Sequence, residues 1–225
     1  IPREASASAC VPYKEKENVR VIFNRVVSDI EDENLGVESK MRIELHSEET
    51  PKETLSKKST RKLLNALYAC PHGIKKMSAD MPGLVETSTN LASVKMKDHN
   101  QIIITTSQRS SVESSKYDLA HQVESVLKLA GCEVTHGDGY PGWKPNLNSD
   151  ILKVAEKSYK KLYKTEPKVK AIHAGLECGL FLKKYPHLDM ISIGPTMRGV
   201  HSPDERLHIP AVGRAWEWLK DILST

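Results

Sequence analysis

Between residues 191 and 208 the chain reads Ile-Ser-Ile-Gly-Pro-Thr-Met-Arg-Gly-Val-His-Ser-Pro-Asp-Glu-Arg-Leu-His. A neutral imidazole on a loop is a common zinc ligand, and a carboxylate or carbonyl usually orients its second ring nitrogen. His201 is the ligand candidate in this stretch, and Asp204 and Glu205 are near enough in sequence to supply the orienting carboxylate. The elements around it suit that use. Ile191 and Ile193 read as a short β-branched strand that Gly194-Pro195 stops, so His201 falls just beyond a strand's carboxyl end. Open α/β sheets place their ligands there. On spacing alone, a solvated or hydrogen-bonded loop histidine is the competing reading.

The run Gly194-Pro195 with His201-Ser202-Pro203-Asp204-Glu205 follows Ala171-Ile172-His173-Ala174-Gly175-Leu176-Glu177-Cys178-Gly179. Upstream stand Gly83-Leu84-Val85-Glu86-Thr87-Ser88-Thr89-Asn90-Leu91 and Gly139-Tyr140-Pro141-Gly142-Trp143-Lys144-Pro145. Together and in this order they resemble the Xaa-His dipeptidases, also called aminoacyl-histidine or cytosolic non-specific dipeptidases, of the carnosinase-like dinuclear zinc peptidases. The similarity runs from Ile1-Pro2-Arg3-Glu4-Ala5 to the C-terminus.

That resemblance implies a hydrolase acting on unblocked dipeptides such as Xaa-His, with His201 ligating one of two zinc ions. Manganese or cobalt are alternatives. Two metals would polarise the scissile carbonyl and supply hydroxide from bridging water at neutral pH. The resemblance places the remaining ligands and the catalytic glutamate in the N-terminal half of the catalytic domain, upstream of Ile1. The literal H-x-D matches, His136-Gly137-Asp138 and His187-Leu188-Asp189, do not follow the long buried strand that ends in the family's motif. The chain is therefore expected to be a C-terminal portion, inactive by itself.

Three more residues enter as substrate-binding candidates through the resemblance. Arg109, at the end of an expected strand, would hold a dipeptide's free carboxylate bidentately; a surface arginine is the plainer reading. His173 and Glu177 fall in what resembles a substrate-binding loop. They would meet the dipeptide's termini or side chain, while a core histidine bonded to a backbone carbonyl explains His173 equally well. Glu86, Ser88 and Asn90 share one face of an alternating strand, and solvent, substrate and a subunit contact all suit such a face.

Composition narrows the function classes. The 225 residues carry 39% hydrophobic and 28% charged residues, as ordinary globular domains do. The net charge of +4 is spread over 33 basic and 29 acidic residues without a basic block, which argues against a nucleic-acid footprint. No apolar run approaches the ~18 residues of a membrane span. Cys10, Cys70, Cys132 and Cys178 form no C-x-x-C and read as reduced, largely buried thiols of a cytoplasmic protein.

Periodicity supplies the elements that must position these residues. Strands are expected at 3–11, 38–47, 84–97, 101–108 and 132–136, with a bulge where the apolar phase slips between Leu91 and Val94. Helices are expected around Val19–Ile30, around Leu63–Tyr68, and from a Ser115 cap to Gly131. After residue 146 the pattern changes to a helix capped by Ser149 or Asp150, short buried strands at 169–173 and 190–194, and a last helix opened by Pro210. The expectation is α/β, α+β overall. Residues 1–146 form an antiparallel sheet with helices, a lid able to mediate a homodimer, and 147–225 form the C-terminal segment of the mixed α/β zinc-peptidase catalytic domain. A non-catalytic interaction or oligomerisation module is the competing function.

Overall fold

The computed structural model describes every residue except 1, 3, 39, 80, 99, 138, 144, 145, 147, 171–176 and 201. The chain divides into two compact units, Pro2–Leu64 and Asn65–Thr225, with the division inside one helix. In chain order the helices are α1 (Lys16–Asn34), α2 (Lys57–Ala69), α3 (Glu113–Leu129), α4 (Asp150–Tyr163), α5 (Glu177–Lys184) and α6 (Ile209–Leu223). The strands are β1 (Gly73–Met77), β2 (Val85–Lys97), β3 (Gln101–Ser110), β4 (Met197–Arg198) and β5 (Arg206–Leu207). The mixture of helices and antiparallel sheets is the α+β class expected.

In the unit Pro2–Leu64, α1 follows a single 3-10 turn at Tyr13–Glu15 and buries none of its residues. Val21, Ile22 and Val26 stay exposed.

The unit Asn65–Thr225 holds an antiparallel sheet of order β1-β2-β3 and a two-stranded ribbon, β4-β5. The turn of the β2–β3 hairpin puts Asn100 at φ 57°, a conformation asparagine tolerates well. The expected bulge lies between Leu91 and Ser93. It moves the inward phase from odd to even positions of β2, so Leu91 and Val94 share a face despite their spacing. One face of this hairpin packs on α3: Leu91 and Ile104 lie against Val123 and Leu127, where Ala66, Cys70, Cys132 and Val134 join the core. Gly131, at φ 83°, ends α3 as a left-handed cap, and the Cys132 N–H reaches back to the Leu127 carbonyl at 3.0 Å. Elsewhere α4 packs on α6. The Trp218 indole donates to the Ala155 carbonyl at 3.0 Å, and Ser158 and Lys161 both bond Asp221.

Several expected elements differ. Residues 4–11, 40–47, 132–136, 169–170 and 190–194 run as irregular chain. The alternation at 132–136 is nevertheless real: Cys132 and Val134 turn inward while Glu133 and Thr135 are exposed. What is missing is a hydrogen-bonded neighbour among the described residues, and a strand without one has no ladder to hold it. The remainder of the strand expected at 169–173 lies outside the described residues. β1 was not expected. It is five residues long, mostly exposed, and exists through its pairing with β2. Ser115 does not cap α3; the helix starts two residues earlier, with Val112 at its N-cap and no side-chain cap bond. Ser149 does cap α4, accepting from the Leu152 N–H at 3.1 Å. Cys10 is exposed, contrary to the expectation of burial, because its segment joins no core; all four cysteines are free.

Candidate substrate-binding site

The polar cluster at one end of the β2–β3 ladder is built from strand alternation. Ser88 pairs with Arg109 and Asn90 with Ser107. Directly opposed residues share a face, so these four side chains lie on the side of the sheet away from α3. Thr87, Thr89, Gln108 and Ser110 lie on the α3 side, and Thr87 is only 2% exposed. Its hydroxyl bonds Ser110 Oγ at 2.9 Å and donates to Glu86 Oε1 at 3.3 Å. Ser110 Oγ also accepts from the Val112 N–H at 3.0 Å, and the Ser111 N–H donates to the Glu86 carbonyl at 3.1 Å. The buried Glu86 carboxylate meets Lys76 Nζ at 3.0 Å. These bonds satisfy the polar groups that burial would otherwise leave costly, and they fix the backbone immediately after Arg109.

Arg109 is exposed at this fixed end, and no described carboxylate lies within ion-pair distance of it. On the same face the side-chain oxygen of Asn90 is buried with no hydrogen-bond donor among the described residues. A guanidinium and an amide on neighbouring strands can together bind a group that offers both a carboxylate and a donor.

A loop connects this end to the start of α5. A side-chain carbon on Gly142 would come within 2.7 Å of the Ser110 carbonyl, and one on Gly179 within 2.8 Å of the Pro141 carbonyl. Only glycine allows both approaches. Arg109 therefore sits one residue from the loop's contact on β3, and Glu177 two residues from its contact on α5. Glu177 is exposed in the first turn of α5. His173 lies outside the described residues.

Asp204 and Glu205 belong to the connection between β4 and β5. Ser202 organises it: its hydroxyl donates to the Gly199 carbonyl at 2.7 Å and accepts from the Asp204 N–H at 3.2 Å, while its carbonyl accepts from the Glu205 N–H at 3.0 Å. Gly199, at φ 63°, lets the loop close on the Asp204 carbonyl, which a side-chain carbon there would approach to 2.8 Å. Both carboxylates are on exposed residues, and His201 lies outside the described residues. Among the described residues no three His, Cys, Asp or Glu side chains converge on one point, so those residues alone do not form a metal centre and no chemical step is assigned through one.

Sequence reasoning noticed Asn90 without placing it, and it missed the role of the Gly139–Trp143 loop. The available signals were the glycine of the Pro141-Gly142-Trp143 run and the helical spacing of Glu113 and Lys116.

The cytosol non-specific dipeptidase of Escherichia coli (strain K12) is 38% identical over 223 residues, covering 99% of this chain and 46% of that protein. The crystal structure of aminoacylhistidine dipeptidase from Vibrio alginolyticus superposes with a TM-score of 0.81 at 31% identity, covering 95% of this chain and 44% of that one. Aminopeptidase PepT from Bacillus cereus shares the fold alone, with a TM-score of 0.51 at 14% identity over 72% of this chain and 44% of its own. The chain spans about half the length of the relatives it matches. Residues 10–225 match the sequence model of Peptidase family M20/M25/M40, and the chain belongs to that family of generally metal-dependent hydrolases.

Proposed function

We propose that this chain is the lid, residues 1–146, and the C-terminal catalytic segment, residues 147–225, of a dipeptidase acting on unblocked dipeptides, Xaa-His among them. The observation that carries the reading is Arg109. It is exposed, has no carboxylate partner among the described residues, and stands on a hydrogen-bonded strand end near Asn90, whose side-chain oxygen has no donor among the described residues. That pair suits a small substrate with a free carboxylate. The printed names of the Escherichia coli and Vibrio alginolyticus relatives are those of dipeptidases.

In this reading Glu177 and His173 serve the far side of the dipeptide, and His201 is one ligand of a zinc site, oriented by Asp204 or Glu205. The other ligands and the general base come from sequence outside these 225 residues, so this chain alone hydrolyses nothing. A cytoplasmic location follows the Escherichia coli relative; no described helix is long and apolar enough to cross a membrane. A homodimer through the lid is supported by the exposed edge strand β3 and by Val94, Met96 and Ile103 at the hairpin's turn end.

Kinetics of the full-length protein on a dipeptide and on its C-terminal amide test the central point. Arg109→Ala should raise KM for the free acid by the equivalent of about 2 kcal/mol, the loss of a charge-assisted contact, and leave the amide nearly unchanged. Equal losses on both substrates would remove Arg109 from the site. His201→Ala should lower metal content with the fold retained; full metal occupancy would end the ligand assignment.

A further inference from the structure

Lys116 stands where the lid's helix meets the loop that joins Arg109's strand to α5. Its side chain is only 13% exposed. The ammonium pairs with Glu113 Oε1 at 2.8 Å and donates to the Tyr140 carbonyl at 3.0 Å. Glu113 Oε2 accepts from the Gly142 N–H at 2.9 Å. One ion pair on the first turn of α3 thus holds the loop by a carbonyl and an N–H two residues apart. In the same loop, Gly142 packs against Ser110 and Pro141 against Gly179. The mechanical line runs from Arg109 through Ser110, Gly142, Pro141 and Gly179 to Glu177.

Resting on Arg109 as the carboxylate anchor, we infer that Lys116 is a positioning residue for the substrate site: with Glu113 it clamps the Gly139–Trp143 loop and so sets Arg109 in register with α5. Partial burial favours the neutral Glu113 carboxyl, yet the bonds from Lys116 and Gly142, with the Lys116 charge, outweigh it and lower its pKa. The Glu113 carboxylate is therefore ionised at neutral pH. Replacing the lysine leaves the Tyr140 carbonyl and Glu113 Oε1 without their donor, and the loop has no other described side-chain donor at Tyr140. A one-ångström displacement of a substrate-orienting group is enough to matter kinetically. Neither the sheet nor the core cluster includes Lys116, so the cost should fall on the site more than on the fold.

The test uses the full-length protein and the same pair of substrates, a free-acid dipeptide and its C-terminal amide. Lys116→Met should cut kcat/KM on the free acid about tenfold, mainly through KM, and change the amide less than about twofold. Adding it to Arg109→Ala should cost nothing further, because the clamp acts through that residue. Glu113→Gln, a milder change at a half-exposed side chain, should shift the free acid in the same direction and decides the matter if Lys116→Met does not fold. Equal losses on acid and amide, or full additivity with Arg109→Ala, overturn the clamp while Arg109 stands. An Arg109→Ala variant that fails to distinguish acid from amide overturns the anchor and the clamp together.

Discussion

The two ends of the β2–β3 hairpin share one ladder and little else. At the end that carries Arg109, β1 pairs on one side and α3 packs beneath, and Glu86, Thr87, Thr89 and Ser110 are buried with their polar groups joined. At the turn end β1 has stopped, and Val94, Met96 and Ile103 are 41%, 63% and 45% exposed. Polar residues are inside and apolar residues outside, the reverse of what composition alone suggests. Burial here follows how many elements meet at a position, and rigidity follows burial. A binding residue gains from the first environment because its backbone cannot drift.

The comparison can be broken most easily at Leu119, which is 1% exposed on α3 and lines, with Thr87, an open cavity of about 430 Å³. Leu119→Ala should destabilise the protein by about 3 kcal/mol in chemical denaturation, the usual cost of a buried leucine cavity. A loss under ~1 kcal/mol would mean the Arg109 end is not the tightly packed one.

Thr87→Val comes next. It keeps the shape and removes the hydroxyl shared by Ser110 and Glu86, for an expected cost of about 1–2 kcal/mol. Crystallography or amide exchange at Ser111 and Val112 should show the strand end loosening; unchanged protection there would leave the knot without a positioning role.

Smaller still is a pH effect on the outer face of α3. Hydrogen bonds from Lys128 and then His136, with their charges, lower Glu124 from an ordinary value of 4.5 to about 2. A depressed folded-state pKa means the unfolded chain takes up the proton first. The contribution is present above about pH 4.5 and is lost as pH falls toward 2. Glu124→Gln should lower stability slightly at neutral pH, where the contribution is present, and the two profiles should converge as pH falls toward 2. A parallel profile for both proteins would show that the pairing contributes nothing.

Ile103→Thr at the turn end should be the mildest, within about 0.5 kcal/mol in the isolated subunit, because its side chain is already half in water. Should the homodimer form there, the same change would instead shift the dimer equilibrium in sedimentation, and the exposed end would prove to be the interface.

Much of this protein was legible along the chain. The helices α1, α2, α4 and α6 follow from apolar spacing, and the Ser149 cap from one side chain beside the backbone it serves. The bulge in β2 showed as a one-residue slip between Leu91 and Val94. These features are local, or they express the fixed periods of helix and strand, so sequence by itself determines them. Motifs in order gave the family, and no described helix is long and apolar enough to cross a membrane. Tertiary structure decided the rest. The alternation at 132–136 reads as a strand, yet no described neighbour completes a ladder, while the unpromising β1 becomes one because β2 lies beside it. That Thr87 is buried, that the Asn90 oxygen lacks a donor among the described residues, and that Lys116 and Glu113 seize a loop more than twenty residues away all depend on segments distant in sequence. Periodicity reports which side of an element is apolar; only the packed chain establishes what meets that side.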